Sequence, residues 1–161
     1  MFTKYFTSRI SGPLEKVDQQ SAFIQALETL DNLQVFYGKY LAIPRKCRRC
    51  GFTDSVQNEK MTDVNIAVEM MSDAFENRFD TALLVSGDSD LAAPIQSVRR
   101  FFPEKRVVVA FPPQTFSVEL TKHAHAYFTI GRANIAKSLF PMEVRKADGF
   151  VLRCPDRWMN R

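Results

Sequence analysis

The chain has 161 residues, 45% of them apolar, with 14 Phe, which is enough to bury the core of one domain and too little for two comfortable ones. Few Gly and Pro, no low-complexity tract and no internal repeat argue against a disordered or repetitive chain, and no run of 18 apolar residues proposes a membrane helix. A net charge of +4 and a pI near 9.1 are compatible with a polyanionic partner, although charge alone equally describes a merely basic protein.

The N-terminal MFTKYFTSRI lacks the apolar core of a signal peptide. Three Cys, an odd number, fit reduced thiols and a cytoplasmic location. Residues 2–7, aromatic and β-branched, predict a strand that Ser11-Gly12-Pro13 breaks. From about 15 to 30, Phe23, Ile24, Leu27 and Leu30 make one helical stripe, ended by Asp31-Asn32. Val35 to Ile43 predicts a second strand with Pro44 as its stop.

Residues 44–60 read as a polar, basic loop around Cys47-Arg-Arg-Cys50-Gly51. Two thiolates on such a turn supply half a tetrahedral zinc site. The sequence offers no second pair, only the distant Cys154, His123 and His125, so zinc is not expected and Cys47 and Cys50 read as a knuckle remnant or free thiols. Basic residues gather at Arg45-Lys46, Arg48-Arg49, Arg99-Arg100, Lys105-Arg106 and from Arg145 onward.

Thr62 is a candidate N-cap, with Asp63 in the first helical turn, where the helix dipole favours an anion. Val64, Ala67, Val68, Met71, Ala74 and Phe75 form the expected buried stripe. Ala82 to Val85, a short apolar run between two helices, predicts a central parallel strand covered on both faces. It ends in Ser86-Gly-Asp-Ser-Asp90, where Gly87 allows a sharp turn and Asp90 or Ser89 can cap the next helix, whose stripe is Leu91, Ile95, Val98 and Phe102. Arg106 to Phe111 predicts another buried strand, Phe116, Leu120 and Ala124 a short helix, Tyr127 to Ile130 a last strand, and 131–137 a short helix.

Alternating helices and apolar strands indicate an α/β fold with a mostly parallel sheet, in which ligands bind at the carboxyl ends of strands. Asp88 and Asp90 fall at such an end. A helix that leads back into the same strand starts near the same edge, which would bring Asp63 to it. Three Asp carboxylates are hard oxygen donors suited to Mg²⁺ or Mn²⁺, and such an ion supports phosphodiester cleavage. The same residues also fit a plain reading, with Asp63 and Asp90 as caps and Asp88 satisfying a turn. Gly-rich phosphate loops are absent from the sequence, which weakens nucleotide-binding alternatives. His123 and His125 read as packing or surface residues rather than acid–base groups.

The motifs Lys60-Met-Thr-Asp63, then Phe79-Asp-Thr-Ala-Leu-Leu-Val-Ser-Gly-Asp88-Ser-Asp90-Leu, then Lys105-Arg-Val-Val-Val resemble the NYN domain family, the LabA-like group of the PIN-like nucleases. The resemblance covers about residues 1–140 and leaves 141–161 as a basic C-terminal extension. It implies a PIN-like three-layer α/β/α sandwich and metal-dependent cleavage of RNA. By motif, Asp63, Asp88 and Asp90 would be the catalytic metal ligands for Mg²⁺ or Mn²⁺, with Lys60, Ser86 and Ser89 contacting phosphate or water. The Cys47–Cys50 loop resembles an insertion in some members.

Members of that family open with a strand carrying an Asp, ahead of the strand that FTKYFT resembles. This chain begins after that point, so the resemblance implies an incomplete ligand set and a trench beside Ala82–Val85. Three explanations fit: a start placed too late or a fragment, a second copy supplying the strand edge-on in a homo-oligomer, or a member that binds RNA without cutting it. The first is preferred. Sequencing upstream of Met1 checks it, and an in-frame stop immediately before Met1 would defeat it.

Overall fold

The computed structural model describes residues 1–159, with side chains throughout that range except at 41–43 and 54–59. Residues 160–161, the end of the expected basic extension, lie outside the described residues. The chain is mixed α/β and divides into two units, residues 1–65 with 140–161, and residues 66–139.

In the first unit, β1 (Thr3–Thr7) pairs in parallel with β2 (Leu33–Tyr37) through α1 (Leu14–Leu27). Ile24, Ala26 and Leu27 are the buried residues of α1, and Tyr5 meets Phe23 edge-on at 5.9 Å. The strand expected over Val35–Ile43 is two strands. It breaks at Gly38, where a Cβ would run into Ser8, Thr62 and the Lys60 carbonyl. The expected loop at 44–60 is a hairpin, β3 (Lys39–Lys46) with β4 (Thr53–Lys60). Pro44 does not stop β3, because a two-stranded ribbon has an open edge on each strand where a missing N–H costs little.

The C-terminal segment also has structure of its own. After Phe140 it forms an antiparallel pair, β8 (Glu143–Arg145) with β9 (Val151–Arg153), and a short helix, Asp156–Met159. It packs on α1: Leu152 is buried, Phe140 and Trp158 both meet Phe23 edge-on, and Arg157 pairs with Glu15 at 3.2 Å.

In the second unit, β5 (Thr81–Val85), β6 (Arg106–Phe111) and β7 (Ala126–Thr129) form a parallel sheet in that order. Leu84, Val107, Val109 and Phe111 point into one core. Over it lie Met70 and Ala74 of α2 (Thr62–Phe75), Ile95 and Val98 of α3 (Ala92–Phe101), and Leu120 of α4 (Val118–His123). A last helix, α5 (Arg132–Lys137), follows β7.

Two expectations about burial hold only in part. Of the expected α2 stripe, Ala74 is buried and Met71 packs against the core, whereas Val64, Val68 and Phe75 are exposed, Phe75 to 80%. Ile66 and Met70 join Ala74 and Met71 on the side that faces the core. Likewise β5 is not covered on both faces, since Leu83 and Val85 are 51% and 56% exposed while Leu84, on the opposite face, is buried. Among the described residues β5 has a strand neighbour on one edge only, β6.

Lys105, one of the gathered basic residues, is only 2% exposed. Its ammonium donates to Asn77 Oδ1 at 2.6 Å and to the Phe79 carbonyl at 2.8 Å, tying the α2–β5 loop to the start of β6.

Ile95→Ala should destabilise the protein by about 2–5 kcal/mol, whereas Leu83→Ala, on the uncovered face, should cost less than about 1 kcal/mol. Urea unfolding of the two variants checks the contrast. Equal losses would contradict the assignment of the core.

Candidate functional site

A parallel strand that feeds a helix must turn at its carboxyl end, and β5 turns within Ser86–Asp90. Gly87 has no room for a side chain, because a Cβ there would collide with Thr115. The Ser86 hydroxyl accepts the Asp88 amide at 3.1 Å, and Asp88 Oδ1 accepts the Asp90 amide at 3.0 Å. Asp88 thereby caps a single 3₁₀ turn, Ser89–Leu91, that leads into α3. The sequence pointed to Asp90 or Ser89 as the cap of α3, but α3 begins after Leu91 without a side-chain cap, and Ser89 and Asp90 lie inside the 3₁₀ turn that Asp88, with an extended backbone (φ −79°, ψ 120°), caps.

Asp88, Ser89 and Asp90 are exposed, while Ser86 is half-buried. Leu91, at 1% exposure, anchors the turn in the core. The result is two carboxylates and two hydroxyls on one short, pinned segment at the carboxyl edge of the sheet.

Lys60 and Asp63 lie in the first unit. Lys60 ends β4 directly opposite Lys39. Met61 follows with a left-handed φ of 76°, and its carbonyl accepts the Asn65 amide at 2.8 Å, so α2 begins there. Thr62 is therefore not the N-cap, and its hydroxyl stands 3.3 Å from that of Ser8. Asp63 sits in the first turn of α2, as expected, and is exposed.

Hard carboxylate oxygens suit Mg²⁺ or Mn²⁺, and Mg²⁺ is commonly held through one or two carboxylates, with water and phosphate completing its shell. The Asp88–Asp90 pair fits that donor preference. Among the described residues, no group of three or more His, Cys, Asp or Glu side chains is gathered to hold a metal ion.

The two histidines are elsewhere in the second unit. His125 Nδ1 accepts the Val107 amide at 3.0 Å, at the amino end of β6. His123 contacts Gln96 and Glu119, and Lys122 and His123 together hold the Glu119 carboxyl below its ordinary range.

Cys47 and Cys50 occupy the tip of the β3–β4 hairpin, both exposed, where Cys47 donates to the Phe52 carbonyl at 2.7 Å and accepts from the Gly51 amide at 3.0 Å. The Cys50 and Arg49 backbone amides, with help from the Cys50 side chain, lower the Cys47 thiol below its ordinary range. The cations of this hairpin were legible in the sequence, but its second strand, Thr53–Lys60, was not, because that stretch carries no apolar alternation.

A parallel α/β unit with acidic residues at the carboxyl end of its first strand is consistent with the PIN-like class of domains. The NYN domain family matches residues 8–132, and the chain belongs to that family. It is 26% identical over 147 residues to 6-hydroxy-3-succinoylpyridine 3-monooxygenase HspA of Pseudomonas putida, a match covering 76% of this chain and 46% of that protein. The chain thus spans about half the length of that curated relative. A crystal structure of a protein of unknown function from Vibrio parahaemolyticus shares the fold, with a TM-score of 0.55 and 22% identity over 81% of this chain and 69% of the other.

Cys47 should alkylate with iodoacetamide before half-buried Cys154, and at a pH below that of an ordinary thiol. Peptide mass spectrometry of a pH series checks this. Equal rates at Cys47 and Cys154 would contradict it.

Proposed function

We propose that the protein is a metal-dependent ribonuclease of NYN type, cleaving RNA phosphodiester bonds at the turn that follows β5. The observation that carries this reading is the Ser86–Asp90 segment, two exposed carboxylates pinned at a parallel strand's carboxyl end in a chain of a nuclease-like family. Asp88 and Asp90 would hold Mg²⁺ or Mn²⁺. Bound there, such an ion would supply positive charge beside the phosphate and a more acidic water.

The remaining roles follow from the side chains themselves. Ser86 uses an oxygen lone pair on the Asp88 amide, which leaves its hydroxyl proton to donate to a phosphate oxygen. Ser89 offers a second hydroxyl from the same turn. Lys60 supplies a cation for the RNA backbone.

A second reading is favoured by one observation, the lack of a three-ligand group among the described residues. In it the protein binds RNA through its basic surface without cutting. The monooxygenase name of the Pseudomonas relative points to another chemistry, but belongs to a protein of which this chain covers 46%. Paired carboxylates on an exposed turn suit a cation and a phosphate better than oxidation of a pyridine.

Asp88→Asn separates these readings. Asn caps a turn about as well as Asp, so stability should hold within about 0.5 kcal/mol. Metal-dependent cleavage of single-stranded RNA should fall about a hundredfold or more, since even residues behind a metal ligand cost 10- to 100-fold when changed. Cleavage undiminished in Asp88→Asn, or none by the unaltered protein with Mn²⁺, would overturn the nuclease reading.

A further inference from the structure

The cations of the β3–β4 hairpin face no acidic partner across the ladder, apart from Arg45, which stands opposite Asp54. Lys39 and Lys60 stand directly opposite each other in the ladder, both exposed, at the base of the ribbon. Like charges in register across an antiparallel pair repel, and an anion between them removes that cost. Alternation along the strand puts Arg45 on the same face, six residues from Lys39. At the tip Arg48 and Arg49 follow, and every residue from 44 to 53 is exposed. Between Pro44 and Asp54 the only carboxylate is that of Asp54 itself.

The tip also holds an aromatic ring in water. Phe52 is 68% exposed, and its carbonyl is fixed by the Cys47 amide. An exposed Phe beside spaced cations is the combination that single-stranded nucleic acids recognise: the cations track phosphates, and the ring stacks on a base. An acidic protein would satisfy the cations but would leave the ring without a π-face to stack on.

We propose that this hairpin is a single-stranded RNA-binding ribbon, with the Lys39–Lys60 pair and Arg45 along one face, Arg48 and Arg49 at the tip, and Phe52 stacking on a base. Eight residues per strand give the ribbon a length of roughly 27 Å. The inference rests on the RNA reading above, and adds a contact surface that works without metal.

The test is fluorescence anisotropy of a labelled 12-nucleotide single-stranded RNA on the full chain carrying Asp88→Asn, with EDTA and a thiol reductant. Affinity should fall with salt, by about 0.7 in the log–log slope per phosphate contacted. Arg48→Ala/Arg49→Ala should weaken binding at least about fivefold and reduce the slope by about 1.4. Arg48→Lys/Arg49→Lys should keep the slope. Phe52→Ala should weaken binding about tenfold without changing the slope, and Phe52→Trp should restore it.

Binding by both alanine variants at the parent's affinity and slope would overturn the ribbon while leaving the nuclease reading standing. So would a parent that prefers polyglutamate or anionic vesicles to RNA. Salt-dependent binding through the ribbon, with no metal-dependent cleavage by the unaltered protein, would support the ribbon and defeat the nuclease.

Discussion

The bond from the Asp90 amide to the Asp88 carboxylate, 3.0 Å long, is the contact on which the candidate site depends. It converts the end of a strand into the start of a helix within a few residues. Gly87 makes the turn possible by lying against Thr115, and Leu91 fixes its far side in the core. Between those two anchors the Asp88 carboxylate is held by the Asp90 amide. A carboxylate so held pays less ordering entropy when a charged ligand arrives.

The structure leaves a surface that parallel sheets ordinarily hide. Leu83 and Val85 on β5, and the Val64–Val68–Phe75 side of α2, are apolar and exposed, while on the opposite face of the sheet Leu84, Val107, Val109 and Phe111 are buried. A helix with two apolar sides and a parallel strand open on one face and one edge belong to the same pattern. From their place in a short apolar run, Leu83 and Val85 read as buried, and their exposure is seen only in the structure.

How much was legible in the sequence depends on what each segment buries. Arg106–Phe111 is a run of apolar residues with a proline stop, and the strand occupies that range. The α3 stripe of Leu91, Ile95 and Val98 is buried as its spacing requires. The carboxylates at 88 and 90 announced themselves by their place after an apolar strand. The hairpin did so only in part, because Pro44 reads as a stop for its first strand and the sequence of its second, Thr53–Lys60, has no period-2 apolar pattern. The core side of α2 was legible only in part: Met71 and Ala74 of the expected stripe pack inward, but periodicity did not separate them from the exposed Val64, Val68 and Phe75. The burial of Lys105 was hidden too, since an ammonium satisfied by a carbonyl and an amide oxygen looks in sequence like any other lysine.

The central claim is that the Asp88–Asp90 turn holds a divalent ion. The most direct measurement is paramagnetic broadening of backbone amide signals on titration with Mn²⁺, which reports distance to the ion residue by residue. The account predicts that signals from Gly87 to Leu91 broaden first, and that Asp88→Asn abolishes the effect at the same Mn²⁺ concentration. Broadening centred elsewhere in the chain, or unchanged in Asp88→Asn, would contradict it.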